Sequence, residues 1–429
     1  MKRTMILVCA ALVMAAAANA YDATNVPAVE CHARGGLPNF LAKAQGDGEI
    51  RVGYLGGSIT AQEGWRVKSL AWFKKNFPTA KFSEINAAIG GTGSDLGAFR
   101  VQHDVLDHKP DLLFVEFAVN DGGASPERIH QSMEGIVRQT WKADPNTDIC
   151  FVYTLAQNQL AELDKGFFQR SASAMEILAD HYAIPTIHMG VEVAKLTREG
   201  KVIFKGEEPK TKPPPDAPIV FSTDGVHPLI WSGHELYLQA IVRSMEPIRT
   251  ASGKPAPHKF DAPLRADNWE NAKMIPLRQD MLSGKWEKLD STKGMGKNFG
   301  NRMGDVWKAC EPGAALTFSF NGTYAALYDV MGPDSGIVGI KVDDNPEKNA
   351  TRIDGYCVYP RIQKLDVGTV LAGQHRVAIT LKPDVPDKRK ILFEKNRDDF
   401  DKHPDKYKDN AWYASAIFLL GDLTGSGAK

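Results

Sequence analysis

The sequence has no excess of either charge, few cysteines and no internal repeat, and these absences exclude several classes of protein. Its 52 basic and 52 acidic residues give a formal net charge of zero, without the basic excess typical of nucleic-acid-binding proteins. The Cys and His residues show no spacing typical of a zinc site. What remains is a 429-residue chain with 43% hydrophobic content, which is typical of a globular protein with two or three domains. The sequence thus predicts no nucleic-acid partner and no metal, and it does not indicate an oligomeric state.

The hydrophobic run near the N-terminus is too short to cross a membrane. It covers residues 5–18, whereas a spanning helix needs roughly 20 apolar residues. Lys2 and Arg3 precede it, and a small-x-small cleavage pattern ends at Ala20. We therefore expect residues 1–20 to be a secretory signal peptide cleaved after Ala20. The protein is then exported, to the periplasm or the extracellular space, without a membrane span.

Four cysteines remain after removal of this peptide: Cys31, Cys150, Cys310 and Cys357. An oxidising compartment allows disulfides without requiring them. Cys150 lies in the apolar run 149–153 and is predicted to be a buried thiol. Spacing alone leaves open whether Cys310 and Cys357 form a disulfide.

From Ile50 to about Ser244, short β-rich runs alternate with helical patterns, which predicts a parallel sheet covered by helices on both faces. The predicted strands are Ile50–Leu55, Lys81–Ile85, Leu112–Phe117, Ile149–Thr154 and Ile184–His188. The predicted helices are Trp65–Phe77, Leu96–Leu106, Pro126–Trp141 and Phe167–Tyr182. Ser232 and Glu235 have the spacing of a capping box, which predicts a closing helix to about Met245.

Beyond this region the hydrophobic pattern changes from helical to alternating. Residues 251–264 are rich in Pro, Gly and small residues, as a linker between domains 21–250 and 265–425 would be. The second domain is predicted to be an antiparallel β-sandwich of the jelly-roll type. Asn321-Gly322 predicts a tight hairpin turn. The predicted strands here are Leu316–Phe320, Tyr324–Tyr328, Gly336–Val342, Val377–Leu381 and Ala414–Leu420.

Segments that follow the predicted strands carry the residue types that ester hydrolysis needs. The reaction requires a nucleophile, a base beside it, a carboxylate that orients the base, and donors for the developing oxyanion. Segments after parallel strands gather at one edge of a sheet. In chain order these segments supply Ser58, Gly91, Asn120, and Asp224 with His227.

Each of these patterns alone is also typical of an ordinary turn. Gly56-Gly57-Ser58 matches a strand-ending turn with a solvated serine, and Asn120 matches a residue that starts a helix. The glycine-rich segment 86–94 has neither the lysine of a P-loop nor the spacing of a dinucleotide fingerprint. The sequence pattern becomes specific only because the four segments occur together and in one order.

With these four segments, residues 50–245 resemble the SGNH hydrolases, a branch of the GDSL esterase and lipase superfamily. The resemblance implies a three-layer, flavodoxin-like α/β domain and a serine hydrolase that needs no cofactor and no metal. It also implies a role for each matching residue. Ser58 is the nucleophile, His227 the base and Asp224 the residue that orients it, while the oxyanion donors are Ser58, Gly91 and Asn120.

One position departs from the family pattern. Where the family usually has Gly-Asp-Ser, this chain has Gly56-Gly57-Ser58, so a side chain that often helps to fix the nucleophile turn is absent. The backbone N–H of Ser58 is unaffected by the change. This chain must therefore hold the turn by another contact.

The expected function is that of an exported serine esterase that removes O-acetyl or other short acyl groups from an acylated poly- or oligosaccharide. The C-terminal domain resembles the accessory β-domains found beside carbohydrate esterases. The family resemblance also permits a lipase, a thioesterase or an acyltransferase. An alternative from another class is a non-catalytic glycan-binding protein. Its sugar-stacking candidates are Trp307, Tyr356, Tyr359, Trp412 and Tyr413.

Overall fold

The computed structural model describes residues 26–211, 214 and 216–426, so the predicted signal peptide lies outside the described residues. In the described part, no helix is both long and apolar enough to cross a membrane. The chain divides into two compact units. Among the described residues, the first comprises those within 26–88, Gly93–Gly97 and 105–268, and the second comprises Ile89–Thr92, Ala98–Asp104 and 269–426.

The first half of the chain alternates strands and helices, as the hydrophobic pattern predicts. Its strands are β1 (Cys31–His32), β2 (Glu49–Gly56), β3 (Lys81–Asn86), β4 (Leu112–Glu116), β5 (Asp148–Tyr153), β6 (Thr186–His188), β7 (Val202–Lys205) and β8 (Ile219–Ser222). Its helices are α1 (Pro38–Ala44), α2 (Ser58–Ala61), α3 (Trp65–Asn76), α4 (Ser94–Asp104), α5 (Pro126–Ala143), α6 (Leu160–Asp164), α7 (Arg170–His181), α8 (Val191–Arg198) and α9 (Gly233–Ala251). The five predicted strands and four predicted crossover helices are confirmed to within three residues at each end.

Six of these strands form one sheet in the order β1-β6-β5-β4-β2-β3. All neighbours in it run parallel except β1, which is antiparallel to β6. The predicted α/β fold with a central parallel sheet is therefore confirmed. Strands β7 and β8 pair with each other in a separate two-stranded parallel sheet.

The core of the first unit lies on both faces of this sheet. Tyr54 of β2, Phe114 of β4 and Cys150 of β5 are fully buried, because helices cover both faces of a parallel sheet. The rings of Tyr54 and Phe114 stack with their centroids 5.5 Å apart. Such a pair contributes roughly 0.5–1.5 kcal/mol beyond its buried area. The prediction of a buried thiol at Cys150 is confirmed.

The predicted capping box at the start of α9 is wrong. The Ser232 hydroxyl makes no cap hydrogen bond; it donates instead to the backbone oxygen of Val220 at 2.6 Å. Glu235 lies 3.2 Å from the ammonium group of Lys68. The hydrogen bond from Ser232 to β8 thus replaces the hydrogen bond within the helix that the spacing suggested. The helix itself is present and continues past Met245 to Ala251.

The second unit is built around a mainly antiparallel sheet. Its elements are β9 (Ala272–Pro276), β10 (Leu282–Ser283), β11 (Trp286–Lys288), α10 (Gly294–Met303), β12 (Trp307–Ala309), β13 (Ala315–Met331), β14 (Ile337–Val342), β15 (Lys348–Thr351), β16 (Arg361–Leu381), α11 (Lys388–Ile391), α12 (Arg397–Lys402) and β17 (Trp412–Ser426). The sheet has the order β11-β12-β17-β13-β16-β14-β15, with β10 beside β13 and β9 beside β17. Its long strands bend at bulges, which gives a sandwich-like β-domain, as predicted.

The predicted hairpin at Asn321-Gly322 is wrong. Both residues lie inside the continuous strand β13, where Asn321 pairs with Gln374 on one side and Asp422 on the other. A Cβ at Gly322 would lie 2.2 Å from the backbone oxygen of Leu420. The glycine is needed because two strands approach closely at a bulge. An Asn-Gly pair in the sequence does not show whether its glycine serves a hairpin turn or such a close approach.

The four described cysteines are all free, which answers the open question about Cys310 and Cys357. Cys357 is buried in a small apolar cluster with Met331 and Tyr407.

The aromatic residues proposed for sugar stacking divide into two groups. Trp307, Trp412 and Tyr413 are buried, whereas Tyr356 and Tyr359 are more than half exposed.

Candidate active site

The predicted nucleophile turn, residues 56–58, joins the end of β2 to the short helix α2. Gly56 is the last residue of β2, Gly57 precedes the helix, and Ser58 is its first residue. The backbone N–H groups of Ala61 and Gln62 bond to the carbonyl oxygens of Gly57 and Ser58, which closes the turn. The Ser58 side chain is thereby presented, half-buried, at the edge where the parallel strands end.

His227 and Asp224 reach this edge from the loop between β8 and α9. His227 Nε2 lies 2.7 Å from Ser58 Oγ, and His227 Nδ1 lies 2.7 Å from Asp224 Oδ2. The loop turns at Gly225, whose φ of +83° favours glycine. The structure therefore brings the three predicted residues into one hydrogen-bonded chain. The strand before them, β8, belongs to the two-stranded sheet and not to the six-stranded one.

The carboxylate of Asp224 is held by several donors. Its Oδ1 accepts the backbone N–H groups of Val226 and His227, each at 2.8 Å, and the hydroxyl of Ser222 at 3.0 Å. Partial burial alone would raise the pKa of Asp224. The hydrogen bonds from the His227 ring and from the two backbone N–H groups outweigh it and hold the pKa well below its usual range.

An ionised Asp224 fixes the tautomer of His227. A carboxylate only accepts hydrogen bonds, so the Nδ1 that faces it carries the proton. Nε2 is then the unprotonated nitrogen, and it faces the hydroxyl of Ser58. This arrangement lets the imidazole take the proton of Ser58.

Asn120 follows β4 and lies against the nucleophile turn. It begins a short 3-10 helix, Asn120–Gly123. A Cβ built at Gly57 would lie 2.0 Å from Asn120 Oδ1, so the amide group occupies the space beside Gly57. The structure thus brings Asn120 together with the turn that carries Ser58, as the sequence predicts.

Gly91 is exposed and has a φ of +72°, a backbone conformation that favours glycine. It belongs with residues 89–92 to the second unit. Within that unit the closest side chains to a Cβ built at Gly91 are Gln363 and Arg361, at 3.5 and 3.6 Å. Its role as an oxyanion donor stays a prediction.

Residues 54–228 match the sequence model of the GDSL-like Lipase/Acylhydrolase family. This segment belongs to that family. It contains Ser58, Gly91, Asn120, Asp224 and His227. The predicted family resemblance is confirmed for this segment, and the protein is a carboxylic ester hydrolase.

Two solved structures resemble this chain over nearly its whole length. A two-domain esterase (CEX) active on acetylated mannans, co-crystallized with mannopentaose, is 19% identical and aligns with a TM-score of 0.68 over 92% of this chain and 97% of that chain. Another structure of a two-domain esterase (CEX) active on acetylated mannans is also 19% identical. It aligns with a TM-score of 0.70 over 91% of this chain and 97% of that chain. At this identity the likeness shows a shared fold. A search of curated protein sequences finds no match.

Sequence reasoning missed three polar residues that contact the GDSL-like site. Glu116, the last residue of β4, is fully buried behind the nucleophile turn. The sequence pattern that could have revealed Glu116 is a single carboxylate in an otherwise apolar strand, because buried charged residues are rare. Asp121 follows Asn120 and accepts the backbone N–H of Ser94 at 3.0 Å. Burial raises the pKa of Asp121 to about 7, although hydrogen bonds from Ser94 act in the opposite direction.

The third missed residue, His234, ties α9 to the chain after Ser58. Its Nδ1 accepts the backbone N–H of Trp65 at 3.0 Å, so its Nε2 carries the proton and donates to Gln62 Oε1 at 3.1 Å. Burial and the nearby charge of Lys68 lower the pKa of His234 to about 3. The ring is therefore a neutral structural link, and the capping-box interpretation of this segment concealed it.

Metal chemistry was not expected at this site. Over residues 26–211, 214 and 216–426, no group of three or more His, Cys, Asp or Glu side chains has a geometry that could hold a metal ion.

Proposed function

We propose that this protein is an exported serine esterase that removes acetyl or other short acyl groups from carbohydrates. The observation that supports it most is the hydrogen-bonded chain from Asp224 through His227 to Ser58, with both links at 2.7 Å. These are the distances that a base and its nucleophile need for proton transfer.

In the first half of the proposed reaction, Ser58 Oγ attacks the ester carbonyl carbon while His227 Nε2 takes its proton. The carbonyl oxygen becomes an oxyanion. Its donors are the backbone N–H of Ser58, the backbone N–H of Gly91 and the side-chain amide of Asn120. Preorganised donors of this kind lower the barrier because they do not have to reorient as charge develops. Asp224 stabilises the imidazolium that forms.

In the second half, the tetrahedral intermediate collapses and the bond to the leaving oxygen breaks. His227 returns its proton to that oxygen, which leaves as a sugar hydroxyl, and the acyl group stays on Ser58. A water molecule then attacks the acyl carbon and gives a proton to His227. Collapse of this second intermediate releases the carboxylic acid, and Ser58 Oγ regains its proton from His227.

The exposure of the site supports a bulky polar substrate. The side chains of Asp224 and His227 are 51% and 37% exposed, so an acyl group carried on a polymer can reach them. Trp231, four residues beyond His227, is 44% exposed. Its indole N–H donates to Glu208 Oε1 at 3.1 Å, which fixes the ring. Aromatic faces of this kind pack against the apolar face of a sugar ring.

Two further observations support the carbohydrate and export parts of the proposal. The two structural neighbours with nearly full coverage are described as esterases active on acetylated mannans. The sequence pattern of a signal peptide supports release from the cytoplasm. A periplasmic or extracellular esterase meets polysaccharide substrates directly.

The experiment that tests the proposal measures acetate release by the mature protein from a panel of acetylated polysaccharides, with an aryl acetate and long-chain esters beside them. We expect release from the aryl acetate and from at least one polysaccharide, and its loss in Ser58→Ala. Equal, slow hydrolysis by the wild type and Ser58→Ala would refute the serine mechanism. Release only from long-chain esters would refute the carbohydrate assignment, and sugar binding without any release would indicate a glycan-binding protein.

A further inference from the structure

Glu116 is a fully buried carboxylate that no step of the proposed reaction uses. The pairing of β2 with β4 places it directly opposite Gly56, two residues before Ser58. The four residues before it in β4 are apolar and equally buried. A carboxylate in such a strand is costly unless several donors satisfy it, so its partners indicate what it does.

The partners of Glu116 lie on both sides of the nucleophile. The backbone N–H of Gly57, the residue before Ser58, faces its carboxylate and lowers the pKa of that carboxyl. Its Oε2 accepts the hydroxyl of Thr60, two residues after Ser58, at 2.8 Å. The Thr154 hydroxyl, just beyond β5, donates to Oε1 at 2.6 Å and fixes the carboxylate from the other side.

We infer that Glu116 is a positioning residue that holds the nucleophile turn in place of the aspartate missing at position 57. The inference rests on the proposed function, in which Ser58 is the nucleophile. By accepting the Thr60 hydroxyl and facing the Gly57 N–H, the carboxylate fixes the backbone on either side of Ser58. It thereby fixes both the direction of Ser58 Oγ toward His227 and the direction of the Ser58 N–H.

The same geometry explains why the contact comes from a neighbouring strand. With Asn120 in its present position, a side chain at residue 57 has no room, because its Cβ would lie 2.0 Å from Asn120 Oδ1. A carboxylate attached to the turn is therefore excluded. Glu116 instead reaches the turn from the neighbouring strand β4, where its Oε2 accepts the Thr60 hydroxyl.

The electrostatics of Glu116 fit a contact that depends on hydrogen bonds. Burial raises the pKa of the Glu116 carboxyl, and the bonds from Thr154, Thr60 and the Gly57 N–H act against this. Among the described residues, none of the ion pairs includes Glu116. Its neutral donors therefore carry the stabilisation, and the loss of one of them disturbs the turn.

The test compares Glu116→Gln, Thr60→Val and Thr60→Ser in the full mature protein, with an aryl acetate as substrate. Glutamine keeps the shape but replaces one acceptor oxygen by a donor group. We expect kcat to fall roughly 10- to 100-fold, with KM changed by no more than about threefold, because a misplaced nucleophile slows chemistry rather than binding. Thr60→Val is expected to lose kcat in the same way, and Thr60→Ser, which keeps the hydroxyl, to restore most of it.

Asp148→Asn is the matched control. Asp148 is another fully buried carboxylate of the same sheet, but it begins β5, at the opposite edge from Ser58. It accepts the backbone N–H of Phe40 at 2.8 Å and lies 2.7 Å from His258. We expect this variant to lower the midpoint of thermal unfolding without lowering kcat. The labelling rate of Ser58 by a fluorophosphonate is expected to fall only in the Glu116 and Thr60→Val variants.

Two outcomes would overturn the inference. One is a kcat within about twofold of the wild type in both Glu116→Gln and Thr60→Val. The other is an equal loss of kcat in Asp148→Asn, which would indicate general destabilisation. If Glu116→Gln does not fold, the inference is tested by comparing kcat between Thr60→Val, which lacks the hydroxyl, and Thr60→Ser, which keeps it. Ser58→Ala separates the two proposals. Full activity in that variant refutes the serine mechanism itself, whereas an inactive Ser58→Ala beside fully active Glu116→Gln and Thr60→Val variants refutes only the positioning role.

Discussion

Asp224 holds His227 at two points, with one carboxylate oxygen on the ring Nδ1 and the other on the backbone N–H of the same residue. A three-residue spacing allows this double contact because Gly225 turns the chain between them. The contact fixes both the position of the residue and the orientation of its ring. The Asp-x-x-His spacing is therefore a geometric requirement of this loop.

The first prediction concerns Asp224→Asn. An amide can present its N–H to Nδ1 and so favour the tautomer with the proton on the nitrogen that faces Ser58. We expect kcat for an aryl acetate to fall by about 10³- to 10⁴-fold, as is typical when the orienting carboxylate of a triad becomes an amide. Steady-state kinetics measure this. An Asn variant within tenfold of the wild type would contradict the proposed role of Asp224.

The second prediction concerns Gly57→Ala. The new methyl group would meet Asn120 Oδ1, so either Asn120 or the nucleophile turn must move. We expect roughly 100-fold or greater loss of kcat, because a displacement of about 1 Å is sufficient for that. Gly123→Ala is the control, since a Cβ there has no atom within 4 Å and Gly123 lies in the same short helix as Asn120. Equal activity of the two alanine variants would show that the space beside Gly57 does not matter.

The third prediction is a pH dependence of stability at Asp121. Its folded pKa of about 7 lies above the value near 4 of an unfolded aspartate, so the folded state retains a proton that the unfolded state has lost. The contribution of Asp121 to the free energy of unfolding therefore falls as the pH rises from about 4 to 7, and the loss levels off above 7. It amounts to at most roughly 4 kcal/mol.

Asp121→Asn removes this titration and provides the check. Relative to the wild type, the variant is expected to gain unfolding free energy between about pH 4 and 7 and to show a constant difference above that range. Denaturant unfolding at several pH values measures the difference. A constant difference over the whole range would mean that Asp121 is ionised in the folded protein at all these pH values.

The fourth prediction separates two sugar-binding surfaces. If Trp231 packs against the substrate, Trp231→Ala raises KM for an acetylated polysaccharide roughly three- to tenfold and leaves the kinetics with an aryl acetate unchanged. Tyr359→Ala, which removes an exposed aromatic side chain of the second unit, is the comparison. A rise in KM for Tyr359→Ala alone would place the sugar contact on the β-domain.

Patterns that depend on local chemistry could be read from the sequence. The strand ending at Gly56, the helix after Ser125-Pro126 and the Asp224-x-x-His227 loop each have a short-range signal, and the structure has an element at each place. The alternation of strands and helices also predicted the parallel sheet, because the period of apolar residues differs between the two.

Features that depend on pairing between distant segments could not be read in this way. Asn321-Gly322 has the composition of a hairpin turn, but its neighbours in β16 and β17 make it the middle of a strand. Ser232 has the spacing of a cap, but Val220 takes its hydroxyl. The role inferred for Glu116 depends on the register that sets β4 against β2, which no local pattern encodes.

The position of β17 in the second unit has a consequence for how this protein folds. β17 lies inside the sheet, between β12 and β13, yet it follows the other described strands of that sheet in the chain. Sheets dominated by pairing between segments far apart in sequence fold slowly, because long loops must close first. The β-domain cannot complete its sheet until β17 has been synthesised, so we expect it to mature after the α/β unit and to stay open to proteases for longer.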